Sequence, residues 1–501
     1  MSELFKLSGC EFWFITGSQF LYGEETLEQV RKNSEIIVNS LNNTGLPCAV
    51  IFKGVMKTAE EITGLMNLAN YDNSCAGIIT FCHTFSPSKM WINGFGLLQK
   101  PCLHLHTQFN RNIPDADIDM DYMNLHQSAH GDREHGFIAA RMGVSRKIVA
   151  GYWQDGEVHN EITAFMRAAA GFKAGRELKV MRFGDNMREV AVTEGDKVEA
   201  QKKFGWQVNT HPVGELAERI RGIPEARVDA LMDEYKQKYI INTENTESIR
   251  EQARMEAAMK ELLEENHCCA YTNTFEDLYG MEQLPGLASQ RLMEAGYGYG
   301  GEGDWKTSAL VYIMKVMASG LNTGTSFMED YTYDLTKGSE LILGAHMLEV
   351  CPTIADSSKS KPKIETHILG IGGKSPPARL VFEGKAGKAL NVSLIDMGGR
   401  MRLIAQEVEC VKPVYEMPKL PVARVMWKPL PDFKTAVSAW LLAGGAHHTV
   451  LSYGVTAEIM RDYARMAGLE FVHLSADTNL MKLEQELALS DMIWRLKCLN
   501  G

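Results

Sequence analysis

Four segments of the chain place a carboxylate or an imidazole where an apolar or small residue would be easier to accommodate. Glu302 lies in the glycine-rich segment "YGGEGDW", Glu329 in "SFMEDYTY" and His346 in "LILGAHMLEV". His447 and His448 follow the apolar run "WLLAGGA". Taken singly, each is more often an exposed acid or a hydrogen-bonded core histidine than a functional group.

Taken together, these side chains could form a metal site. Burying several ionisable groups costs free energy unless they pair or bind a metal. Two carboxylates with one or two imidazoles suit Mn²⁺ or another hard-to-borderline divalent ion, and a set without thiolates disfavours structural zinc. No HExxH-type spacing shows that they converge, so the residues alone leave a metal site and separate structural positions equally open.

The adjacent histidines should not share one role. Neighbouring residues point in different directions on a helix or a strand, so one site can seldom use His447 and His448 in the same way. The two preceding glycines would let the backbone bend closely enough to present both side chains.

Two glycine-rich segments superficially resemble phosphate-binding loops. "GYGYGGEGDWK" precedes a predicted helix but lacks the GxxxxGK[ST] spacing, and its "GYGGEG" does not follow a predicted strand. The "GIGG" at 370–373 has no convincing helix after it. Nucleotide binding is therefore not expected.

The periodicity of apolar residues predicts the elements that must position these groups. Up to residue 176, apolar strands such as "CEFWFITG" and "AGIITFCHTF" alternate with helices, one of which begins with Thr58 and Glu61 as a capping box. This pattern predicts a parallel sheet covered by helices, with ligands beyond the strand ends "GSQFLYG", "CHTFSPSK" and "HTQFN". A second α/β unit starts with "LKVMRFGDNMREVAV" and ends in "DWKTSALVYIMKVMASG", which we interpret as an amphipathic helix.

Beyond about residue 325 the pattern changes to strands, among them "SFMEDYTYDL", "ELILGAHMLEV" and "PARLVFEG", and helices return from "DFKTAVSAWLLAGG" onward. We therefore predict an α/β protein with two doubly wound parallel-sheet domains followed by a largely antiparallel β domain with C-terminal helices. The predicted boundaries are 1–176, 177–325 and 326–501.

The bulk composition argues against a nucleic-acid or membrane-surface protein. The 501 residues are 45% apolar and 23% charged, and the net charge of −11 comes without a basic cluster. The first apolar run is too short for a signal peptide, and no later run reaches membrane-spanning length. Ten cysteines without a CxxC pair predict reduced, mostly buried thiols in a cytoplasmic protein.

The chain resembles the L-arabinose isomerase family in order over nearly its whole length, from about residue 11 to about residue 475. The motifs that carry the resemblance are "GSQFLYGEETL", "HTFSPSKMWI", "HTQFN", "IDMDYMNLHQSAHG", "RFGDNMREVAVTEGDK", "TFEDL", "LPGLASQRLM", "GEGDWKT", "GTSFMEDYTY", "GAHMLEVCP", "LGIGGK", "PKLPVA" and "AGGAHHTV". The chain departs from the commoner family pattern at Phe20, at Asp132 and His135 in "HGDREHGF", and by one extra residue after His367.

The resemblance implies a fucose isomerase-like fold and the conversion of L-arabinose to L-ribulose, with D-galactose to D-tagatose as a second candidate reaction. It implies one Mn²⁺ per subunit and a homohexamer in which the first domain of one subunit closes a neighbour's site. The implied metal ligands are Glu302, Glu329, His346 and His448, and the two glutamates are also the implied acid–base pair. The implied sugar-lining residues are Gln19, Leu21, Tyr22, Phe85, Gln127, His130, Met187, Phe275, Ile371 and His447.

The corresponding hypothesis is a proton transfer between C1 and C2 of the open-chain sugar through an enediol, managed by two carboxylates. Three alternatives stay open at this point. They are a ketol isomerase of the L-fucose isomerase type, a metal-dependent aldolase and a non-catalytic sugar-binding protein.

Overall fold

The computed structural model describes residues 6–358, 360–370 and 372–499, with side chains described as far as residue 496. The chain divides into two compact units. We call Lys6–Lys173 with Arg461–Met466 the first unit, and Ala174–Met460 with the described residues from Ala467 onward the second unit.

The first unit contains a parallel five-stranded sheet with the order β2-β1-β3-β4-β5. Its strands are β1 (Glu11–Gly17), β2 (Ala49–Met56), β3 (Cys75–Cys82), β4 (Cys102–His106) and β5 (Lys147–Ala150). Its helices are α1 (Gly23–Asn42), α2 (Ala59–Tyr71), α3 (Ile92–Leu97), α4 (Met120–Leu125) and α5 (Ser128–Arg141), and α6 (Gly156–Arg176) begins in it. The strand order reverses between β1 and β3, which confirms the predicted doubly wound sheet.

Local sequence explains these elements well. Every residue of β3 is buried, as expected for a strand covered on both faces. Helix α2 begins after Thr58, whose hydroxyl accepts a hydrogen bond from the Glu61 N–H, while the Glu61 carboxylate accepts from the Lys57 N–H. The predicted cap is thus present, with the returning bond one residue earlier than in the usual capping box.

The second unit begins with another parallel sheet, of order β10-β9-β6-β7. Its strands are β6 (Lys179–Phe183), β7 (Gln207–His211), β9 (Ala270–Asn273) and β10 (Gly298–Gly300). The helices of this region are α7 (Lys197–Phe204), α8 (Val213–Gly222), α9 (Glu225–Lys238), α10 (Thr246–Glu265), α11 (Gly286–Glu294) and α12 (Trp305–Met317). A small separate sheet joins β8 (Ile240–Ile241) to β13 (Lys363–Thr366) and β14 (Ala378–Val381).

The rest of the second unit is a closed antiparallel barrel, because β15 pairs with both β18 and β16. The strands of this sheet are β11 (Thr325–Asp334), β12 (Leu341–Ala345), β15 (Gly387–Asp396), β16 (Met401–Val411), β17 (Arg424–Pro429), β18 (His448–Ser452) and β19 (Glu470–Leu474). All neighbouring pairs are antiparallel except β16 with β19. The last helices of the chain are α13 (Phe433–Ala443), α14 (Ala457–Ala467), whose residues Arg461–Met466 belong to the first unit, and α15 (Leu480–Leu499). The predicted antiparallel β region is therefore confirmed.

Two features of the barrel are tightly packed. A Cβ built on Gly344 of β12 would lie 1.9 Å from the Trp427 ring, so only glycine fits there. Glu470 at the start of β19 is buried and forms ion pairs with Arg400 at 2.7 Å and Arg402 at 2.9 Å.

The structure differs from three sequence-based interpretations. Helix α12 is not amphipathic: all its residues except Lys315 are buried, because it packs against strands of both the parallel sheet and the barrel. The glycine-rich segment itself contains a strand, β10, at its residues Gly298–Gly300, which the sequence pattern did not predict. The period-2 pattern of Phe327, Glu329, Tyr331 and Tyr333 in "SFMEDYTY" is interrupted between Asp330 and Thr332, where the register of β11 against β12 shifts.

The nine cysteines whose side chains are described form no disulfide, and all but Cys269 are buried, as predicted; Cys498 lies outside the described side chains. Among the described residues, no helix is both long and apolar enough to span a membrane.

Candidate active site

Glu302 sits in a tight turn between β10 and α12. Its φ of 58° lies in the left-handed region that non-glycine residues rarely adopt, a conformation that costs on the order of 1–3 kcal/mol and is concentrated at functional sites. The flanking glycines allow close approach: a Cβ on Gly301 would lie 3.3 Å from the His346 ring, and one on Gly303 would lie 2.4 Å from the Asp185 carbonyl oxygen. The turn therefore presents the Glu302 side chain at close range to the barrel.

Strand pairing brings the barrel residues to the same place. Glu329 in β11 lies directly opposite His448 of β18 on one side and Ala345 of β12 on the other. Side chains that are directly opposite each other in a sheet share a face, so Glu329 and His448 are neighbours. His346 follows the last residue of β12, which is a shorter strand than "ELILGAHMLEV" predicted.

The polar atoms of these side chains converge. The Glu302 Oε2 lies 3.7 Å from the His448 Nε2, and the His346 Nε2 lies 3.9 Å from the Glu329 Oε2. One ligand atom each from Glu302, His346 and His448 can be chosen so that all lie within 4.8 Å of one another. The Phe327 ring packs edge-on against both imidazoles, at 4.9 and 5.0 Å between centroids, and closes the apolar side of this cluster.

Each imidazole is oriented by a buried carboxylate. The His346 Nδ1 lies 2.6 Å from the Glu349 Oε2, and the His448 Nδ1 lies 3.2 Å from the Asp304 Oδ2. The Tyr299 hydroxyl donates to the other Glu349 oxygen at 3.1 Å. Contacts at Nδ1 leave Nε2 of each ring directed at the glutamates.

These contacts fit a metal site. The His448 side chain is fully buried, and its Nε2 has no hydrogen-bond partner. A buried nitrogen of this kind is costly unless it meets a ligand, and a carboxylate behind a histidine is the usual support for a metal-binding ring. The donor set of two imidazoles and two carboxylates suits a borderline or moderately hard divalent ion.

The two adjacent histidines differ in their surroundings. His447 keeps about a third of its side chain exposed, and its Nε2 lies 3.3 Å from the Glu302 Oε2, whereas His448 is enclosed. The hydrogen bond to Glu302 raises the pKa of His447, while burial lowers the pKa of His448. The different environments agree with the expectation that the two rings cannot do the same job.

The acidic groups around the cluster also have shifted pKa values. Burial disfavours the charge of Asp304, but the Lys306 ammonium and the His448 ring hold its pKa well below the ordinary value. Burial, aided by the charge of Glu329, raises the pKa of Asp330 to about 7. Sequence reasoning missed Asp304, Glu349 and Tyr299. Only Asp304 had a local signal, as the capping residue that accepts from the Thr307 N–H at the start of α12.

Other predicted sugar-lining residues of the second unit lie beside the cluster. The Met187 N–H donates to the Glu302 carbonyl oxygen at 2.9 Å, and Phe275 lines a small cavity together with Glu302 and His346. Ile371 lies outside the described residues.

The predicted sugar-lining residues of the first unit gather at the carboxyl ends of its strands. The Tyr22 hydroxyl donates to the Gln127 side-chain oxygen at 3.0 Å, and the Phe85 and His130 rings are 4.9 Å apart. Gln127 immediately precedes α5, and its carbonyl oxygen accepts from the His130 N–H. Gln19 and Leu21 belong to the turn after β1, where Leu21 is largely exposed.

The fold and this cluster of paired acids and imidazoles define an enzyme, and comparison with known proteins gives its class. Family sequence models for the L-arabinose isomerase N-terminal, central and C-terminal domains match residues 6–177, 179–320 and 324–470. The L-arabinose isomerase of Geobacillus stearothermophilus is 57% identical over 499 residues, which cover 98% of this chain and all of the relative. That of Thermotoga petrophila is 55% identical over 496 residues, covering 98% and 99% of the two chains. The protein is thus an isomerase of the intramolecular oxidoreductase class. It belongs to the L-arabinose isomerase family.

Proposed function

We propose that this protein is a metal-dependent aldose–ketose isomerase that converts L-arabinose to L-ribulose in L-arabinose catabolism. The observation that carries the proposal is the approach of Glu302 and Glu329 to two imidazoles whose Nε2 atoms face them, in a chain that matches L-arabinose isomerases over its full length. We also propose that D-galactose is converted to D-tagatose at the same site, because the two aldoses differ by one hydroxymethyl group.

The reaction needs two proton-handling groups. A proton must leave C2 of the open-chain sugar and return at C1 through an enediol, while the hydroxyl protons are managed separately. Glu302 and Glu329 project from different elements, the turn before α12 and strand β11, so they can act on two sides of a carbon skeleton. We assign one to the carbon-bound proton and the other to the hydroxyl protons.

The metal would be held by Glu302, Glu329, His346 and His448, and we propose one Mn²⁺ per subunit. When bound, such an ion polarises a sugar carbonyl and favours the charge of an enediolate. Glu349 and Asp304 act as positioning residues that keep each ring in one tautomer. His447, which is part-exposed beside Glu302, is left to donate a hydrogen bond to a sugar hydroxyl.

The remaining sugar contacts are proposed from the resemblance. Met187, Phe275 and Ile371 would line the site within the same chain. Gln19, Leu21, Tyr22, Phe85, Gln127 and His130 would be supplied by the first unit of a neighbouring subunit in a homohexamer. We also propose a fucose isomerase-like fold and a cytoplasmic location, the latter supported by the nine cysteines outside disulfides.

The test is an assay of the chelator-treated protein with L-arabinose, with and without added Mn²⁺. A ketose of unchanged carbon number that forms only with the metal supports the proposal. Shorter fragments would instead indicate an aldolase, and unchanged sugar would indicate a binding protein. Glu329→Gln should lose most of the turnover with metal still bound, whereas Glu407→Gln, which changes a half-exposed acid on β16, should not. Near-full activity of Glu329→Gln would contradict the assigned role.

A further inference from the structure

A second cluster of possible metal ligands lies in the first unit. His104 and His106 are two residues apart on β4, so they point to the same face, and Asp132 faces them from α5. One ligand atom from each of the three can be chosen so that all lie within 4.8 Å of one another. None of these residues has a part in the reaction proposed above.

The hydrogen bonding of this cluster is incomplete. The His106 Nδ1 lies 2.5 Å from the Asp132 Oδ2, which is a direct hydrogen bond. The His104 Nε2 lies 3.0 Å from the Asp132 Oδ1, yet the two atoms are not aligned as donor and acceptor, and both are buried without a hydrogen-bond partner. Each such buried atom costs about 1–3 kcal/mol when nothing satisfies it.

One tautomer of His104 leaves its Nε2 free to bind a cation. The Thr80 hydroxyl lies 3.4 Å from the Leu103 carbonyl oxygen and 2.9 Å from the His104 Nδ1, so it can donate to the carbonyl while its oxygen accepts from a proton on Nδ1. With the proton on Nδ1, the Nε2 lone pair faces a carboxylate oxygen, and two acceptors repel each other at this distance. A cation bound to both atoms removes the repulsion and satisfies both.

A further unpartnered group borders the cluster. His135, one helical turn after Asp132 on α5, is fully buried, and neither of its ring nitrogens has a hydrogen-bond partner. Its ring stacks on His104 with the centroids 4.2 Å apart, and Trp91 and Phe95 enclose its other sides. The buried side of the cluster thus contains imidazole nitrogens without hydrogen-bond partners and is closed to solvent.

We propose that His104, His106 and Asp132 form a second cation site, which binds a borderline divalent ion such as Co²⁺, Ni²⁺ or Zn²⁺. Two imidazoles and one carboxylate favour these ions over Mg²⁺ or Ca²⁺. Because 40% of the His106 side chain is exposed, the ion can enter from solvent and keep water at its open positions.

Such an ion would join β4 to α5 at the carboxyl edge of the parallel sheet. The first turn of α5 carries His130, and Gln127 immediately precedes it. Both are proposed sugar-lining residues, so the ion would hold that wall in place. This consequence rests on the proposed function, whereas the binding of the ion does not.

Co²⁺ serves as the probe, because bound Co²⁺ can be counted by metal analysis and followed by its visible absorption. The chelator-treated full-length protein should bind about two Co²⁺ per chain, and Asp132→Asn and His448→Ala about one each. His473→Gln, which changes a part-exposed histidine on β19, is the matched control and should bind as the wild type does. His106→Gln should raise the Kd of one of the two Co²⁺ sites at least about tenfold. This variant replaces Asp132→Asn in the test if Asp132→Asn does not fold.

The proposal is overturned if Asp132→Asn, or His106→Gln in its place, binds as much Co²⁺ as the wild type with the same affinity. That result would leave the cluster as a hydrogen-bonded Asp–His group only. A different result would show that the proposed active-site metal is wrong. In that case His448→Ala would bind as much Co²⁺ as the wild type, while the Asp132 variant would still bind one ion fewer. The Co²⁺ bound by His448→Ala should also raise its melting temperature, and the double variant with Asp132→Asn should lose that rise.

Discussion

Removing the carboxylate behind His346 should weaken metal binding without removing a metal ligand. Glu349 contacts the His346 Nδ1 at 2.6 Å, and both side chains are buried. A hydrogen bond to a charged group contributes about 1.5–3 kcal/mol, and each 1.4 kcal/mol corresponds to about tenfold in affinity. Glu349→Ala should therefore raise the Kd for Mn²⁺ about ten- to a hundredfold, the range typical for groups that support a ligating histidine.

The assay is calorimetric titration of the chelator-treated protein with Mn²⁺, together with kcat at saturating metal. Glu349→Gln keeps an oxygen that can accept from Nδ1–H, so it should lose less affinity than Glu349→Ala. Tyr299→Phe is the matched control, because it removes a donor to the same carboxylate but leaves the contact with His346 intact. If Glu349→Ala binds Mn²⁺ within twofold of the wild type while remaining folded, the carboxylate does not orient the ring and the reasoning is wrong.

Three further predictions concern the histidine pair, a buried ion pair and a close contact. His448→Ala should lower Mn²⁺ affinity, whereas His447→Ala should keep the metal and raise KM or lower kcat. Calorimetry measures the metal affinity and kinetics measures KM and kcat, and the reverse pattern would refute the assignment of the two histidines. Burial opposes the charge of Glu470, but its two arginine partners lower its pKa in the folded protein. The stability that Glu470 contributes is therefore present above the ordinary pKa of a glutamate, and it is lost as the pH falls through the lower pKa of the folded state. The free energies of denaturant unfolding of the wild type and Glu470→Gln should thus differ most near neutral pH and converge in acid. A difference that stays constant with pH would contradict the lowered pKa of Glu470. Gly344→Ala, whose new Cβ would overlap a tryptophan ring, should lower the free energy of unfolding by about 1–3 kcal/mol or more in a thermal unfolding measurement. Gly370→Ala, which has open space around its Cβ, is the control and should change the free energy of unfolding little.

Local patterns in the sequence were enough to predict most elements of this protein. The alternation of apolar strands and capped helices predicted the parallel sheets, and "DFKTAVSAWLLAGG" predicted α13, which begins after the capping residue Asp432 and ends at Gly444 in the left-handed conformation. These features depend on neighbours within a few residues, so they can be read from one segment at a time. The motifs also indicated the family that the comparisons then identified.

Tertiary structure decided how those elements surround the site. Closure of the barrel by the pairing of β15 with both β18 and β16, and the burial of α12 on nearly every face, depend on partners far away in sequence. The bulge between Asp330 and Thr332 interrupts an alternation that the sequence continues, because register is fixed by the facing strand.

The candidate metal ligands could be identified from the sequence, whereas the groups that support them could not. Glu302, His346 and His448 stood out because charged groups in apolar or glycine-rich segments are unusual in sequence. Asp304 carries no such mark, since its importance lies in facing the His448 imidazole from another element, whereas Glu349 faces His346 from three residues further along the same segment. The sequence therefore determined which residues could do chemistry, and only the tertiary structure decided which atoms meet, because contacts between distant segments are set by packing and strand register rather than by local pattern.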